Sequence, residues 1–351
     1  MKKIYVIHSG CQHVNQSALA FQENMMLEKF ISSFLIKDYG IDWYKFFKNK
    51  NIQKIISLKE TKGIDPRYII NHPYYEFVEV IIKIIIGNNS YTADKLSSWR
   101  DIGFAKNIIK YIDIDCLGVF GFPNNMLEVF KKVGKNPIKI IEQPIGYSRA
   151  AIEIFEEEKY INPDFADSIT YANKSDIYLE RIDEELNLTN VICVPSEFVK
   201  LSLVKYGYPS EKIKMNPYGS YLKAIAKKDV AVNLKRNLTV LFVGQISQRK
   251  GIKYLLDAVK NIKNKDKNSI KFILVGKIFG DGNWMRNYKE YIDEYYPVVP
   301  RNEMKSIYEK SDIFVLPSLF EGSALVVYEA LAHGMACIVT PNTGADMIID
   351  Q

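Results

Sequence analysis

From Thr239 onward, short apolar runs alternate with amphipathic ones, and no other feature restricts the fold of this chain so strongly. Thr239–Val243, Ile270–Val275, Pro297–Val299, Ile313–Pro317 and Ala336–Thr340 are apolar and of strand length. Helical spacing fills the intervals, at Ile252–Lys263, Trp284–Tyr295, Asn302–Lys310 and Ser323–His333. Strands and helices alternating at this pitch build a parallel, doubly wound sheet, which binds ligands outside the C-terminal ends of its strands. The N-terminal part carries the same pattern less cleanly. Lys3–Ile7 is a strand, followed by a polar loop with Gly10 and helical spacing over Gln16–Leu35. Ile52–Leu58, Cys116–Phe120, Ile138–Ile141, Val191–Pro195 and Lys212–Met215 are further strand candidates. Asn124–Val133 and Ser175–Leu188 have helical spacing, and Ser196 is placed to cap a helix ending at Gly207. Periodicity breaks down over Tyr221–Leu238, which reads as a linker. Two α/β domains are therefore expected, 1–220 and 221–351.

With 351 residues, the chain is long enough for two domains with their own cores. A net charge of +6 is a mild basic excess, suited to an anionic ligand or an anionic membrane surface. The lysines are spread along the chain without zinc-ligand spacing or RNA-binding aromatic motifs, so no nucleic-acid partner is expected. Cys11, Cys116, Cys193 and Cys337 lie far apart, which fits reduced thiols in a cytoplasmic protein rather than a disulfide framework or a metal site. No signal peptide or transmembrane span is legible. The longest apolar stretch, Phe77–Ile86, reads as a core helix or strand, with an interfacial helix as the other reading.

Pro317–Gly334, PSLFEGSALVVYEALAHG, places Glu321 on a glycine-containing turn and Glu329 within the apolar helix that follows. A helix N-terminus after a strand offers unpaired N–H groups and the positive end of the helix dipole. The apolar neighbours of Glu329 imply a largely buried carboxylate, which needs a hydrogen-bond donor. Such carboxylates serve either as structural ion partners or as ligand groups. A second loop, VGQISQRKG (Val243–Gly251), follows the first strand of this half. Arg249 and Lys250 stand at a helix start, where cations oppose the dipole, and a bound phosphate would account for them.

The pair Glu321 and Glu329, seven residues apart in that motif, resembles the E-x7-E signature of retaining glycosyltransferases of family 4. VGQISQRKGIKYLLDAV (Val243–Val259) is similar to the same family's phosphate loop, and Tyr178–Ser220 resembles the segment closing its N-terminal domain. The resemblance implies a GT-B fold: two Rossmann-like doubly wound domains facing a central cleft. It implies transfer of a sugar from a nucleoside-diphosphate sugar to a glycan, lipid-carrier or protein acceptor in surface polysaccharide or glycoconjugate synthesis. No cofactor and no metal are implied. Carried over by position, Lys250 and Glu321 are the expected catalytic residues. Gly244, Gln245, Arg249, Lys250, Glu321, Gly322, Ser323, Ala324 and Glu329 are the expected donor site. The N–H groups of Gly322, Ser323 and Ala324 would face the sugar and phosphate, and Glu329 the ribose. Ser9, Gly10 and Tyr147 are expected on the acceptor side. Location in the cytoplasm, with a peripheral contact at the inner membrane face, completes the expectation.

Several positions depart from the family pattern. Gln245 stands where the family often has Arg, and Arg249 is the nearest replacement charge. Tyr147 occupies the place of a His near the reacting centre, with His8, His13 and His72 as other candidates. The chain stops at Gln351, where family members continue into a final helix, so a truncated C-terminal domain is expected. These departures keep open a catalytically weak nucleotide-sugar-binding or partner subunit on the same fold. Asp113 and Asp115 form a D-x-D, but ahead of a strand instead of after one, which disfavours a metal role.

Overall fold

A computed structural model describes residues 2–10, 13–40, 43–46, 53, 59–86, 90–169, 174–219 and 237–346. Its strands form two sheets. The first holds β1 (Ile4–His8), β2 (Leu27–Ser32), β3 (Ile69–Asn71), β4 (Gly118–Gly121), β5 (Ile138–Glu142), β6 (Val191–Val194) and β7 (Ile213–Met215), in the order β3-β2-β1-β4-β5-β6-β7. The second holds β8 (Leu238–Val243), β9 (Ile270–Val275), β10 (Glu294–Tyr296), β11 (Ile313–Leu316) and β12 (Ala336–Val339), in the order β10-β9-β8-β11-β12. Every pairing in the second sheet is parallel, as are those from β3 to β6 in the first.

Strand order reverses once in each sheet, between β1 and β4 and between β8 and β11. At such a switch point the two flanking loops diverge and leave a crevice at the strand ends. The loops singled out in the sequence, after β8 and after β11, are the pair that flanks the switch in the second sheet.

The chain divides into two compact units, Met1–Gln143 with Ser175–Cys193 and Glu211–Lys214, and Pro144–Lys174 with Val194–Ser210 and Met215–Gln351. Pro144–Lys174 and Val194–Ser210 pack with the second sheet. Aromatic burial explains this. Phe165 stacks on Trp284 at 4.7 Å, and both Phe155 and Phe198 meet the ring of Phe320. In the first unit, Val6, Phe30, Phe120 and Phe122 lie in a core of their own.

Helices α1 (Val14–Glu23), α2 (Tyr74–Ile86), α3 (Ser90–Ile108), α4 (Leu127–Val133) and α5 (Ser148–Ile161) come from the first half of the chain. They are followed by α6 (Asp176–Leu188), α7 (Glu197–Val204), α8 (Ile252–Lys265), α9 (Arg301–Glu309) and α10 (Leu325–Ala332). Ser175 and Ser196 cap α6 and α7 through their hydroxyls.

Three expectations need correction. The helix over Gln16–Leu35 stops at Glu23, and Met25 turns the chain at φ 58 into β2, whose Phe30 and Ile31 are fully buried. Trp284–Tyr295 is not one helix. It forms two short 3-10 turns because Trp284 and Tyr288 are drawn into the core, and the strand expected at Pro297–Val299 lies at Glu294–Tyr296. The apolar stretch Phe77–Ile86 is helical, but its apolar face is exposed and is not core. The strand expected over Ile52–Leu58 lies outside the described residues, as does most of the linker.

Candidate functional site

Gly251 sets the geometry of the loop after β8. It closes a 3-10 turn over Gln248–Lys250 with φ 69 and serves as the N-cap of α8. A Cβ there would come within 1.9 Å of the Pro317 carbonyl oxygen. The β8 and β11 loops therefore touch backbone to backbone only because residue 251 has no side chain. Gly251→Ala is expected to destabilise the fold by about 1–3 kcal/mol. An unchanged urea midpoint would refute this.

The same turn delivers two cations. Lys250 is 7% exposed, and its ammonium is ion-paired to Oε2 of Glu321. Arg249 donates to the same oxygen at 2.8 Å, to the Phe320 carbonyl at 3.3 Å and to the Gln245 side chain at 3.1 Å. Arg249 thus lies against Gln245, four residues away. Burial pushes the Lys250 ammonium below its ordinary value, as does the Arg249 charge, while Glu321 acts in the opposite sense. Burial alone would raise Glu321, but Lys250 and Arg249 outweigh it and hold the carboxyl below its usual range.

The loop after β11 is held from both sides. Leu319 N–H donates to the Arg249 carbonyl at 2.9 Å. Asn342 donates to Leu319 O at 2.8 Å, Thr340 to Ser318 O at 2.6 Å and Thr343 to Leu316 O at 3.0 Å. Gly322 is packed so closely that a Cβ would lie 1.8 Å from the Pro144 carbonyl, and its own carbonyl accepts from the Ser196 hydroxyl at 2.6 Å. Of the three N–H groups expected to face a ligand, that of Ala324 is already donated to Thr343 O at 3.2 Å. The hydroxyls of Ser247, Ser318 and Ser323 are buried without a hydrogen-bond partner among the described residues. Buried hydroxyls left unsatisfied are rare, and here all three border the Lys250–Glu321 pair in sequence.

Glu329 differs from its expectation. Its residue is half-buried, and the Tyr308 hydroxyl donates to it at 2.8 Å. Tyr308 is buried and stacks on His333 at 4.8 Å. The carboxylate makes no ion pair among the described residues, and it does not join the Lys250–Arg249–Glu321 cluster directly. Gly244, at φ 152, ends β8 beside the Lys250 chain.

Sequence reasoning missed Gln248. This fully buried side chain donates to Glu158 at 2.6 Å and accepts from Lys253 N–H at 2.9 Å, anchoring the cation-bearing turn. Its only sequence signal was a polar residue flanked by polar ones.

In the first unit, Ser9 and Gly10 lie just beyond β1, beside that sheet's switch point. Ser9 is buried, and its N–H donates to Asn125 at 3.0 Å, its hydroxyl to Asp101 at 2.5 Å. Its carbonyl accepts from Ser33 at 2.6 Å, and Gly10 N–H donates to His8 Nδ1 at 2.6 Å. Close by, the buried Glu142 at the end of β5 is paired with His13 and receives the Ser17 hydroxyl at 3.2 Å. Tyr147 lies in the other unit, 2% exposed, with its ring edge-on to Tyr206 and Tyr208. Asp113 accepts from its neighbour Asp115 N–H at 3.0 Å, an ordinary turn. Among the described residues, no three His, Cys, Asp or Glu side chains cluster to hold a metal.

Two doubly wound parallel-sheet domains of seven and five strands are the architecture of GT-B structures. The chain superposes on the lipopolysaccharide outer core galactosyltransferase WaaB with a TM-score of 0.55, covering 100% of this chain and 84% of that one at 13% identity. An α,α-trehalose-phosphate synthase (UDP-forming) from Burkholderia vietnamiensis gives 0.55, with 99% and 85% covered at 11% identity. At these identities the likeness shows the fold alone. Residues 237–351 match the family described as Glycosyl transferases group 1, so the second sheet and its two loops carry that domain.

Two curated relatives extend the likeness in sequence. A UDP-Gal:alpha-D-GlcNAc-diphosphoundecaprenol alpha-1,3-galactosyltransferase of Escherichia coli is 30% identical over 178 residues, 46% of this chain and 45% of that protein. A lipopolysaccharide 1,2-N-acetylglucosaminetransferase of Salmonella typhimurium is 27% identical over 184 residues, 45% and 46% respectively. The chain thus spans about half the length of these relatives.

Proposed function

We propose that this protein is a glycosyltransferase that moves a sugar from a nucleoside-diphosphate sugar to a glycan or lipid-linked acceptor in surface polysaccharide synthesis. One observation carries the reading: two cations and a carboxylate, buried together, join the two loops at the switch point of a Glycosyl transferases group 1 domain. Lys250 and Arg249 take the diphosphate, stabilising the charge that develops as it leaves. Glu321 accepts sugar hydroxyls, and the orphaned hydroxyls of Ser247, Ser318 and Ser323 supply further donors. Glu329, oriented by Tyr308, serves the ribose. The family 4 pattern, retention of anomeric configuration and a metal-independent reaction belong to the same reading, as does an acceptor held by the first unit near Ser9 and Gly10. The Escherichia coli relative, named as a UDP-Gal:alpha-D-GlcNAc-diphosphoundecaprenol alpha-1,3-galactosyltransferase, supports this donor and acceptor class.

The test is a thermal-shift screen of UDP-, GDP-, dTDP- and ADP-sugars, followed by detection of released nucleoside diphosphate with lipid-linked acceptors. A donor at about 100 times its dissociation constant stabilises by roughly 2.7 kcal/mol. No shift with any donor would sink the reading, while a shift without turnover would favour a binding or partner subunit.

The protein works at the cytoplasmic face of an anionic membrane, in our reading, and α2 supports this. Its charges are turned inward: Glu79 is 3% exposed and is held by Lys83, Arg100 and Ser97, and Glu76 by Lys59. Its apolar side chains face water, with Phe77 51%, Ile81 56% and Ile85 75% exposed. A helix that buries its carboxylate and exposes its isoleucines suits an apolar medium, and the basic chain suits anionic headgroups. No described helix is long and apolar enough to cross a membrane. Ile81→Asp/Ile85→Asp is expected to cut binding to phosphatidylglycerol vesicles at least about tenfold while leaving the melting temperature unchanged. Equal vesicle binding would refute the contact.

A further inference from the structure

Lys250 and Arg249 do not wait uncompensated: both reach the same oxygen, Oε2 of Glu321. The Glu321 side chain is 15% exposed and that of Lys250 9%, so solvent screens the three charges little. Two positive charges against one negative leave the clamp at about +1, half of what the cations would offer alone. Any diphosphate entering must compete with this carboxylate.

We infer that Glu321 is the clamp's resident counter-ion, yielding the cations to a diphosphate only when a sugar is attached. This rests on the donor-site reading above and deepens it. The physical reason is compensation. Displaced from Lys250 and Arg249, a buried carboxylate loses its partners and stands beside a phosphate of the same sign. With an intact donor, sugar hydroxyls replace the lost ion pairs with charge-assisted hydrogen bonds. With a bare nucleoside diphosphate nothing replaces them, so Glu321 competes for the cations. One side chain then does two things: it favours the sugar nucleotide over the free nucleotide, and it loosens the spent diphosphate once the sugar has left. The anchoring of the loops fits this division. Backbone contacts through Gly251 and Leu319 fix the two loops relative to each other, so the exchange is made by the Glu321 side chain rather than by loop movement.

Calorimetric titration tests this with UDP, GDP, dTDP and ADP, each against its own nucleoside. For the nucleotide that wild type binds, Glu321→Gln is expected to bind the free diphosphate at least about tenfold more tightly, with nucleoside affinity unchanged. Wild type is also expected to prefer the corresponding sugar nucleotide over the free diphosphate by about tenfold or more, a ratio that Glu321→Gln collapses. A folded Glu321→Gln that binds the diphosphate no better than wild type overturns the inference and leaves the donor site standing. The wild-type ratio needs no variant: a diphosphate that binds as tightly as its sugar nucleotide overturns the inference by itself. Wild type that binds neither these diphosphates nor their sugar nucleotides fails the donor-site reading too, and is told apart by that result.

Discussion

Lys250→Gln is expected to lower kcat by about two to three orders of magnitude, the usual cost of deleting one donor aimed at developing charge. The side chain is 9% exposed and shares Glu321 with Arg249. On the proposed donor-site reading, deleting it removes a cation from the leaving diphosphate and leaves a buried carboxylate with Arg249 alone. The loss belongs in kcat, since the charge on the leaving group grows toward the transition state. The pH profile of kcat/KM, which reports the free enzyme in which Glu321 pairs with both cations, carries a further signature. Lys250 and Arg249 hold the Glu321 carboxyl below the ordinary 4.5, so the acid limb falls below that value. Burial pulls Lys250 below the ordinary 10.5, so the alkaline limb falls short of it. Steady-state kinetics on wild type and Lys250→Gln decide the matter, and a change confined to KM would contradict this role.

The second large effect lies in the first unit and concerns stability. Glu185 is fully buried and accepts backbone N–H groups from Asn124 at 2.7 Å and Met126 at 2.5 Å, at the start of α4. Burial raises its carboxyl to about 7, against the lowering effects of those N–H groups and of Arg181. An unfolded carboxyl titrates near 4.5, so the native state holds this proton more tightly. The contribution is full below that value and is lost as pH rises through about 7, a decline of about 3 kcal/mol. Glu185→Gln stays neutral throughout and is expected to remove that slope. Glu185→Ala leaves both N–H groups unpaired at about 1–3 kcal/mol each. Urea unfolding at pH 5 and pH 8 measures both, and an undiminished slope in Glu185→Gln would overturn the assignment.

Much of the fold is written locally. The β8–β12 alternation, the serine caps at Ser175 and Ser196 and the two glycine loops follow from periodicity and residue type, because hydrophobic spacing and N-cap chemistry act within a few residues. Over Gln16–Leu35 and over Trp284–Tyr295 the hydrophobic pattern suits either state, and the structure departs from a single helix in both. Burial of Phe30 and Ile31 decided the first, and burial of Trp284 and Tyr288 the second. Residue type also marked Lys250, Arg249 and Glu321 as unusual, since cations at a helix start and a carboxylate on a glycine turn lack a local reason. That both cations share one Glu321 oxygen could not be read, because 71 positions of chain separate Lys250 from Glu321 and only the β8–β11 pairing closes that gap.

The sequence by itself determined the doubly wound class, the two loops that carry charge and the basic excess of the chain. Tertiary structure alone decided which charges meet. It gave Glu329 to Tyr308, turned Glu79 inward beneath an exposed apolar helix face, and closed Glu321 onto both cations. The reason is the range of the forces. Propensity and periodicity are properties of neighbours in the chain, whereas a buried charge is settled by whichever partner the packed fold brings within hydrogen-bond reach.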